Sequence, residues 1–105
     1  MNQKTQIEIV KSLQEKEINI LQSKGNDYAD TDDVLKNFKQ VSEICKILNI
    51  DSRTLYGTHM FYIVLKIQRI CNLLAENKVA QNESLDDSFL DLRAYVGLVA
   101  CATKE

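Results

Sequence analysis

The chain has no proline and no tryptophan, and its 105 residues include only three glycines, Gly25, Gly57 and Gly97. Without proline nothing in the sequence forces a helix to break, and glycine is too sparse to support a loop-rich fold. Histidine occurs once, as His59, and Cys45, Cys71 and Cys101 stand far apart with no C-x-x-C pair. That leaves no sulfur–nitrogen set of the kind zinc takes, and these cysteines read as small buried hydrophobes in a reducing cytosol. Long apolar runs are missing too. The run MFYIVL at 60–65 stops at Lys66, far short of the roughly 20 residues that span a bilayer, so no membrane partner is expected. A basic excess is also lacking. The formal charge is −2, so there is no broad positive field for long nucleic acid, and any phosphate contact must come from a local cluster of cations. No Gly-rich phosphate loop is present. The opening MNQKTQIEIVKS is polar and charged rather than apolar like a signal peptide, which points to the cytoplasm.

What the sequence does contain is helical periodicity. In a first helix over about 2–23, Ile7, Val10, Leu13, Ile18 and Leu21 recur at roughly helical spacing, interrupted by Glu17. In a second, Val34, Phe38, Val41, Cys45 and Leu48 alternate at four and three, a single apolar seam. Thr31 or Asp32 is placed to cap it, and Asp33 suits the positive end of its dipole. NIDSRT at 49–54 reads as a break, with Asp51 or Ser52 available to cap a third helix over about 54–77. That helix is apolar around most of its circumference, as expected of a central helix or one that also faces a partner subunit. After a turn over 75–84, a fourth helix begins near Ser84, with Leu85, Phe89, Leu92, Val96 and Val99 on its expected buried face. These elements predict an all-α fold: one domain over 1–105, a small bundle of about four helices, the last two forming a long antiparallel hairpin. A domain of this length buries only roughly 60–65 % of its unfolded surface, which favours a homo-oligomer.

Folding the hairpin about its turn brings two polar stripes together. His59, Tyr62, Lys66 and Arg69 share one face of the third helix, while Glu83, Asp87, Asp91 and Tyr95 recur along the fourth. An antiparallel register pairs Lys66 with Asp91, Arg69 with Asp87, and Tyr62 with Tyr95. One reading is a ladder of ion pairs that fixes helix register. The other is a site: the cations interrupt the most apolar helix, where burying charge is costly, and they are flanked by rings suited to stacking. A ligand with a flat base and phosphates would use both kinds of group.

The ordered segments KGNDYADTDDVLKNF, KIQRICNLL and NESLDDSFLDLRAYVGLV resemble the largely phage- and prophage-borne family called nucleotide modification associated domain 1. Its Lys-x-x-Asp-Tyr element is matched by Lys24, Asp27 and Tyr28, its Lys-x-x-Arg helix by Lys66 and Arg69, and its last helix by Glu83, Ser84, Asp87, Asp91 and Tyr95. The resemblance spans about residues 22–100, and the motif-bearing part of the domain runs over about 24–103. It implies a nucleotide-linked role in virus–host biology. The hairpin is also distantly similar to that of MazG-type all-α nucleotide pyrophosphohydrolases, but Lys66 and Arg69 stand where those enzymes place magnesium ligands. Cations there repel Mg²⁺ and attract phosphate.

The resulting expectation is a protein that binds, without hydrolysing, a nucleotide or cyclic nucleotide signal and so counters host defence, with no cofactor. Its ligand-binding set comprises Lys24, Asp27, Tyr28, His59, Tyr62, Lys66, Arg69, Asp87, Asp91 and Tyr95. The first alternative is a Mg²⁺-dependent nucleotide phosphohydrolase or modification enzyme, with Glu83, Asp87 and Asp91 holding the metal. The second is a structural adaptor bundle.

Overall fold

The structure is a computed structural model that describes residues 1–30, 32–75, 78–80 and 84–105. The described residues form four helices and no strand: α1 (Gln3–Tyr28), α2 (Lys36–Ile47), α3 (Leu55–Ala75) and α4 (Leu85–Ala102). None of these helices is long and apolar enough to cross a membrane.

Helix α3 is the hub. It packs most extensively against α4, then against α2, and then against α1. Its Ile63, Val64, Ile70 and Leu73 are buried, together with Val41 of α2 and Ala29 just past α1. Contacts within the chain therefore account for part of its apolar character, while Leu55, Ile67 and Leu74 of the same helix stay exposed. Buried among these aliphatic residues are Asp27, Asn37, Lys66, Gln68, Arg69, Asn72 and Ser88. The centre of the bundle is as much polar as apolar, so its stability rests on how completely those polar groups are satisfied.

Helix α1 is longer than its apolar pattern predicts. Asn2 caps its start by accepting from the Thr5 amide at 2.8 Å. The helix then runs through Gly25, the expected stop, to Tyr28. Residues 1–22 are all exposed, and burial begins only from Ser23 onward. Most of the 26-residue helix, about 39 Å long at the standard rise, therefore projects from the body. The Cα radius of gyration is accordingly 17.1 Å, against about 13 Å for a compact domain of this length.

The second helix starts later than predicted and Asp32 is not its N-cap, while Thr31, the other expected cap, lies outside the described residues. Leu35 holds the N-cap position and makes no side-chain capping bond. The preceding turn is organised by carboxylates instead. Asp30 accepts from the amides of Asp32 and Asp33 at 3.0 and 2.8 Å, and Asp33 accepts from that of Leu35 at 3.1 Å. Of the expected apolar seam, Val41 is buried and Cys45 half-buried, while Val34, Phe38 and Leu48 are exposed. Helix α2 ends in a Schellman motif: Ile50 N–H bonds to the Cys45 carbonyl at 2.9 Å and Asn49 N–H to that of Lys46 at 3.2 Å. Asn49 supplies the left-handed residue, with φ of 53°.

Thr54, rather than Asp51 or Ser52, caps α3: its hydroxyl oxygen accepts from the Gly57 amide at 3.0 Å. Ser84 caps α4 as expected, in a reciprocal capping box with Asp87. The face that α4 turns inward is rotated from the predicted one. Phe89 and Val96 are exposed, whereas Ser88 is buried and Leu85, Asp91, Leu92, Tyr95 and Val99 are half-buried. The cations of α3 draw Ser88 and Asp91 toward the interface, and the rotation that seats them turns Phe89 and Val96 out.

Asp33 also pairs with Lys39 at 2.8 Å. The hydrogen bond from Lys39 holds the Asp33 carboxyl below its ordinary range. With the folded pKa lowered, this contribution is fully present above the usual aspartate range and is lost as pH falls through the lowered value. NMR titration of Asp33 is expected to show that low midpoint, and Lys39→Ala to move it back up toward the ordinary aspartate range. A midpoint unchanged by Lys39→Ala would mean that the pair has no effect in solution.

Candidate functional site

The segment at 26–30, where α1 ends, is held against α3 by a dense polar knot. Arg69 donates to the Asp27 carboxylate at 2.7 Å, and both side chains are fully buried. A second guanidinium nitrogen of Arg69 donates to the Ser88 hydroxyl of α4, so one side chain joins three helices. The Tyr28 ring lies beside the same guanidinium, 5.7 Å from its centroid to Cζ. One turn away, the Asn72 amide donates to the Asp27 carbonyl at 3.0 Å, and Gln68 donates to the Tyr28 carbonyl at 2.7 Å and to the Gln40 side chain at 3.0 Å. Lys78 donates to the Ala29 carbonyl, and Asn26 to the Val79 carbonyl at 2.8 Å. The backbone carbonyls that a helix end leaves unsatisfied are thus met by side chains of α3 and the segment after it. This is why the helix can continue through Gly25 despite the low helical propensity of glycine.

Beyond the knot, two of the three predicted rungs are present. Lys66 pairs with Asp91 at 3.1 Å; the lysine side chain is 11 % exposed and the aspartate 44 %. Tyr62 and Tyr95 stack with ring centroids 5.5 Å apart and planes 19° from parallel. His59 lies near the same stack, 6.5 Å from the Tyr95 ring, with Nδ1 3.3 Å from the Leu55 carbonyl. The third rung is different: Arg69 turns to Asp27 and Ser88. Asp87 is exposed and its carboxylate accepts from the Ser84 amide at 3.2 Å.

A cleft of about 630 Å³ opens between the end of α1, the turn into α2, and α3. Lys24, Tyr28 and Lys66 line it together with Leu35, Phe38 and Leu65. Its size falls within the range of small-molecule sites, and an apolar lining with a few polar groups is their usual character. The arrangement offers a mostly apolar cleft with two lysine residues in its wall, one of them, Lys66, paired with Asp91. It therefore suits a molecule with a ring at one end and negative charge at the other.

Nine of the ten residues singled out from the sequence thus occupy three places. Lys24, Tyr28 and Lys66 line the cleft, with Tyr28 also touching the knot; Asp27 and Arg69 form the centre of the knot; His59, Tyr62, Asp91 and Tyr95 form the ladder above it. Asp87 lies apart at the cap of α4. The residues that sequence reasoning missed are Gln68, Asn72 and Ser88. Their signal was present: in KIQRICNLL, polar side chains at 66, 69 and 72, with 68 beside them, break an otherwise apolar helix at helical spacing. Of the proposed metal set, Glu83 lies outside the described residues, and among the described residues no three His, Cys, Asp or Glu side chains gather in a way that would hold a metal ion. Comparison with protein-family models, with curated proteins and with solved structures finds no match to this chain.

Proposed function

We propose that this protein binds, without cleaving, a small anionic ligand of the nucleotide class in the cleft between α1, α2 and α3. The observation that carries the reading is the convergence of Lys24 and Tyr28, one turn apart on α1, with Lys66 of α3 on one mostly apolar cleft. Phosphate lies against the two ammonium groups, and Lys66, already oriented by Asp91, shares its charge between carboxylate and ligand. The base slots between Tyr28 and Phe38. The half-exposed rings of Tyr62 and Tyr95 extend the same route along α3 for a larger, cyclic ligand. Asp27 and Arg69 act from below by fixing the end of α1, and hence Lys24 and Tyr28, in place. Sequestration of a cyclic nucleotide signal in a phage setting follows from the family resemblance of the three motifs.

Calorimetry against mono-, tri- and cyclic nucleotides, with and without Mg²⁺, followed by mass analysis of the recovered ligand, tests this reading. Binding of intact ligand without metal is the expected result. Tyr28→Ala is expected to weaken it at least tenfold, in keeping with roughly 1–3 kcal/mol for a base stacked on an aromatic side chain. Lys66→Met is expected to weaken it and to leave a folded chain. Recovery of a cleaved product shifts the assignment to the phosphohydrolase, and no binding to any nucleotide overturns it in favour of an adaptor.

A further inference from the structure

The largest surface without a partner in this fold is the apolar half of α1. Ile7, Ile9, Val10, Leu13, Ile18, Ile20 and Leu21 are 43–62 % exposed, and at 100° per residue they fall within one half of the helix circumference. The opposite half carries Lys4, Glu8, Lys11, Glu15, Lys16 and Asn19. Gln6, Gln14 and Glu17 interrupt that half, but its apolar residues stay exposed, and no residue of 1–22 is buried by the other described residues.

We propose that this face is covered by α1 of a second copy, running antiparallel about a twofold axis at Gln14. The first reason is the spacing. Ile7, Val10, Gln14, Ile18 and Leu21 are separated by three, four, four and three residues, a pattern that reads the same in either direction. Laid antiparallel, Ile7 of one copy meets Leu21 of the other, Val10 meets Ile18, and Gln14 meets Gln14. A heterologous partner would need no such symmetry, whereas an isologous interface requires it. Gln14 is the polar residue at the centre of the seam, and Glu17 lies beside it. The Gln14 amide both donates and accepts, so two copies satisfy each other and penalise any slipped register.

Charge is the second reason. Residues 1–22 carry three lysines and three glutamates, so the arm meets its own copy without net repulsion. The third is area. Covering the apolar half of both arms removes on the order of 1,000 Å² or more from water, which reaches the size of a specific interface. The fourth is what lies at the root of the arm. Leu21, Val34, Leu35 and Phe38 are 53–66 % exposed there. These four residues also line the cleft, and only an antiparallel pair carries the first turns of each α1 toward this patch of the other copy, where they extend the cleft's outer wall. A parallel pair leaves the patch open.

The test is made without nucleotide, so its outcome is independent of the ligand reading. Light scattering of the intact 12.0 kDa chain is expected to give twice that mass or an even multiple. Ile18→Asp, which alters only the projecting arm, is expected to halve the mass while most of the helical circular dichroism persists. A monomeric parent, or an assembly that withstands Ile18→Asp, overturns the proposal. Direction is read by disulfide cross-linking with the three native cysteines replaced by serine. Mixing Ile7→Cys and Leu21→Cys chains is expected to give a cross-linked dimer. Ile7→Cys alone is expected to give none, because the two positions lie about 21 Å apart along an antiparallel pair. Self-cross-linking of Ile7→Cys would establish a parallel pair and overturn the assignment.

Discussion

Asp27→Ala is expected to destabilise the fold by about 3–5 kcal/mol, the cost of leaving one member of a buried ion pair without its partner. Arg69 is fully buried and reaches Asp27 at 2.7 Å. With the carboxylate gone, the guanidinium loses this buried counter-ion, and neither the Ser88 hydroxyl nor the Tyr28 ring neutralises its charge. For a domain of marginal stability this is a large fraction of the total, and each kcal/mol lowers Tm by about 4–8 °C at this size. Arg69→Ala is expected to cost as much, since it removes the counter-ion of a buried carboxylate and also empties the space of the largest fully buried side chain among the described residues. The paired replacement behaves differently. Asp27→Leu with Arg69→Met removes both charges, keeps most of the volume, and is expected to lie within about 1–2 kcal/mol of the parent. Urea denaturation of the two single variants and the double variant gives the coupling energy directly. Single variants within 1 kcal/mol of the parent would mean that the knot does not hold α1 to α3 in solution.

That knot also shows where reasoning from sequence stops. The Lys66–Asp91 and Tyr62–Tyr95 rungs follow from folding one hairpin about its turn, because both partners lie on helices whose register a short connection sets. The same rule assigns Arg69 to Asp87, and it fails because it considers two helices and the arginine serves three. Asp27 lies 42 positions upstream of Arg69, at a distance that periodicity does not reach. Asp87 has a competing local partner in the Ser84 amide three residues away, and local bonds of this kind need no tertiary closure. The helices themselves were legible because proline is absent and the apolar positions recur at helical spacing. Their ends were less so. Gly25 looks like a terminator until the side chains of Gln68, Asn72 and Lys78 are seen meeting the carbonyls beyond it.

The expectation of self-association shifts from one helix to another on similar grounds. An apolar circumference identifies α3 as either central or interfacial, and only the packing of three helices around it decides for central. The apolar half of α1 looks ordinary in sequence, since any amphipathic helix of a bundle carries one. Its meaning changes when the structure leaves it projecting. The polar knot and the projecting arm are then parts of one design: the knot fixes the root of α1 to the body, so whatever binds the arm is held at a defined angle to the cleft.

Gly57→Ala is expected to cost about 3 kcal/mol, although intrinsic propensity predicts the opposite sign. Alanine is favoured over glycine in a helix interior by about 1 kcal/mol, and Gly57 lies in the first turn of α3. A methyl group there, however, would fall inside the Asp51 carbonyl oxygen and the Thr54 hydroxyl. Neither can retreat freely. Thr54 donates to that carbonyl at 2.8 Å and accepts from the Gly57 amide at 3.0 Å, so its hydroxyl is the cap of the helix. Overpacking of this kind costs about 1–3 kcal/mol, and displacing the cap adds about 1 kcal/mol more. Gly97 is the control, because an added Cβ meets nothing within 4 Å in the middle of α4. Gly97→Ala is therefore expected to stabilise by about 0.5–1 kcal/mol, opposite in sign to Gly57→Ala. Thermal or urea unfolding of the two variants beside the parent reads both signs in one experiment. If Gly57→Ala also stabilises, the turn into α3 is looser than the contact between Gly57 and the Asp51 carbonyl requires.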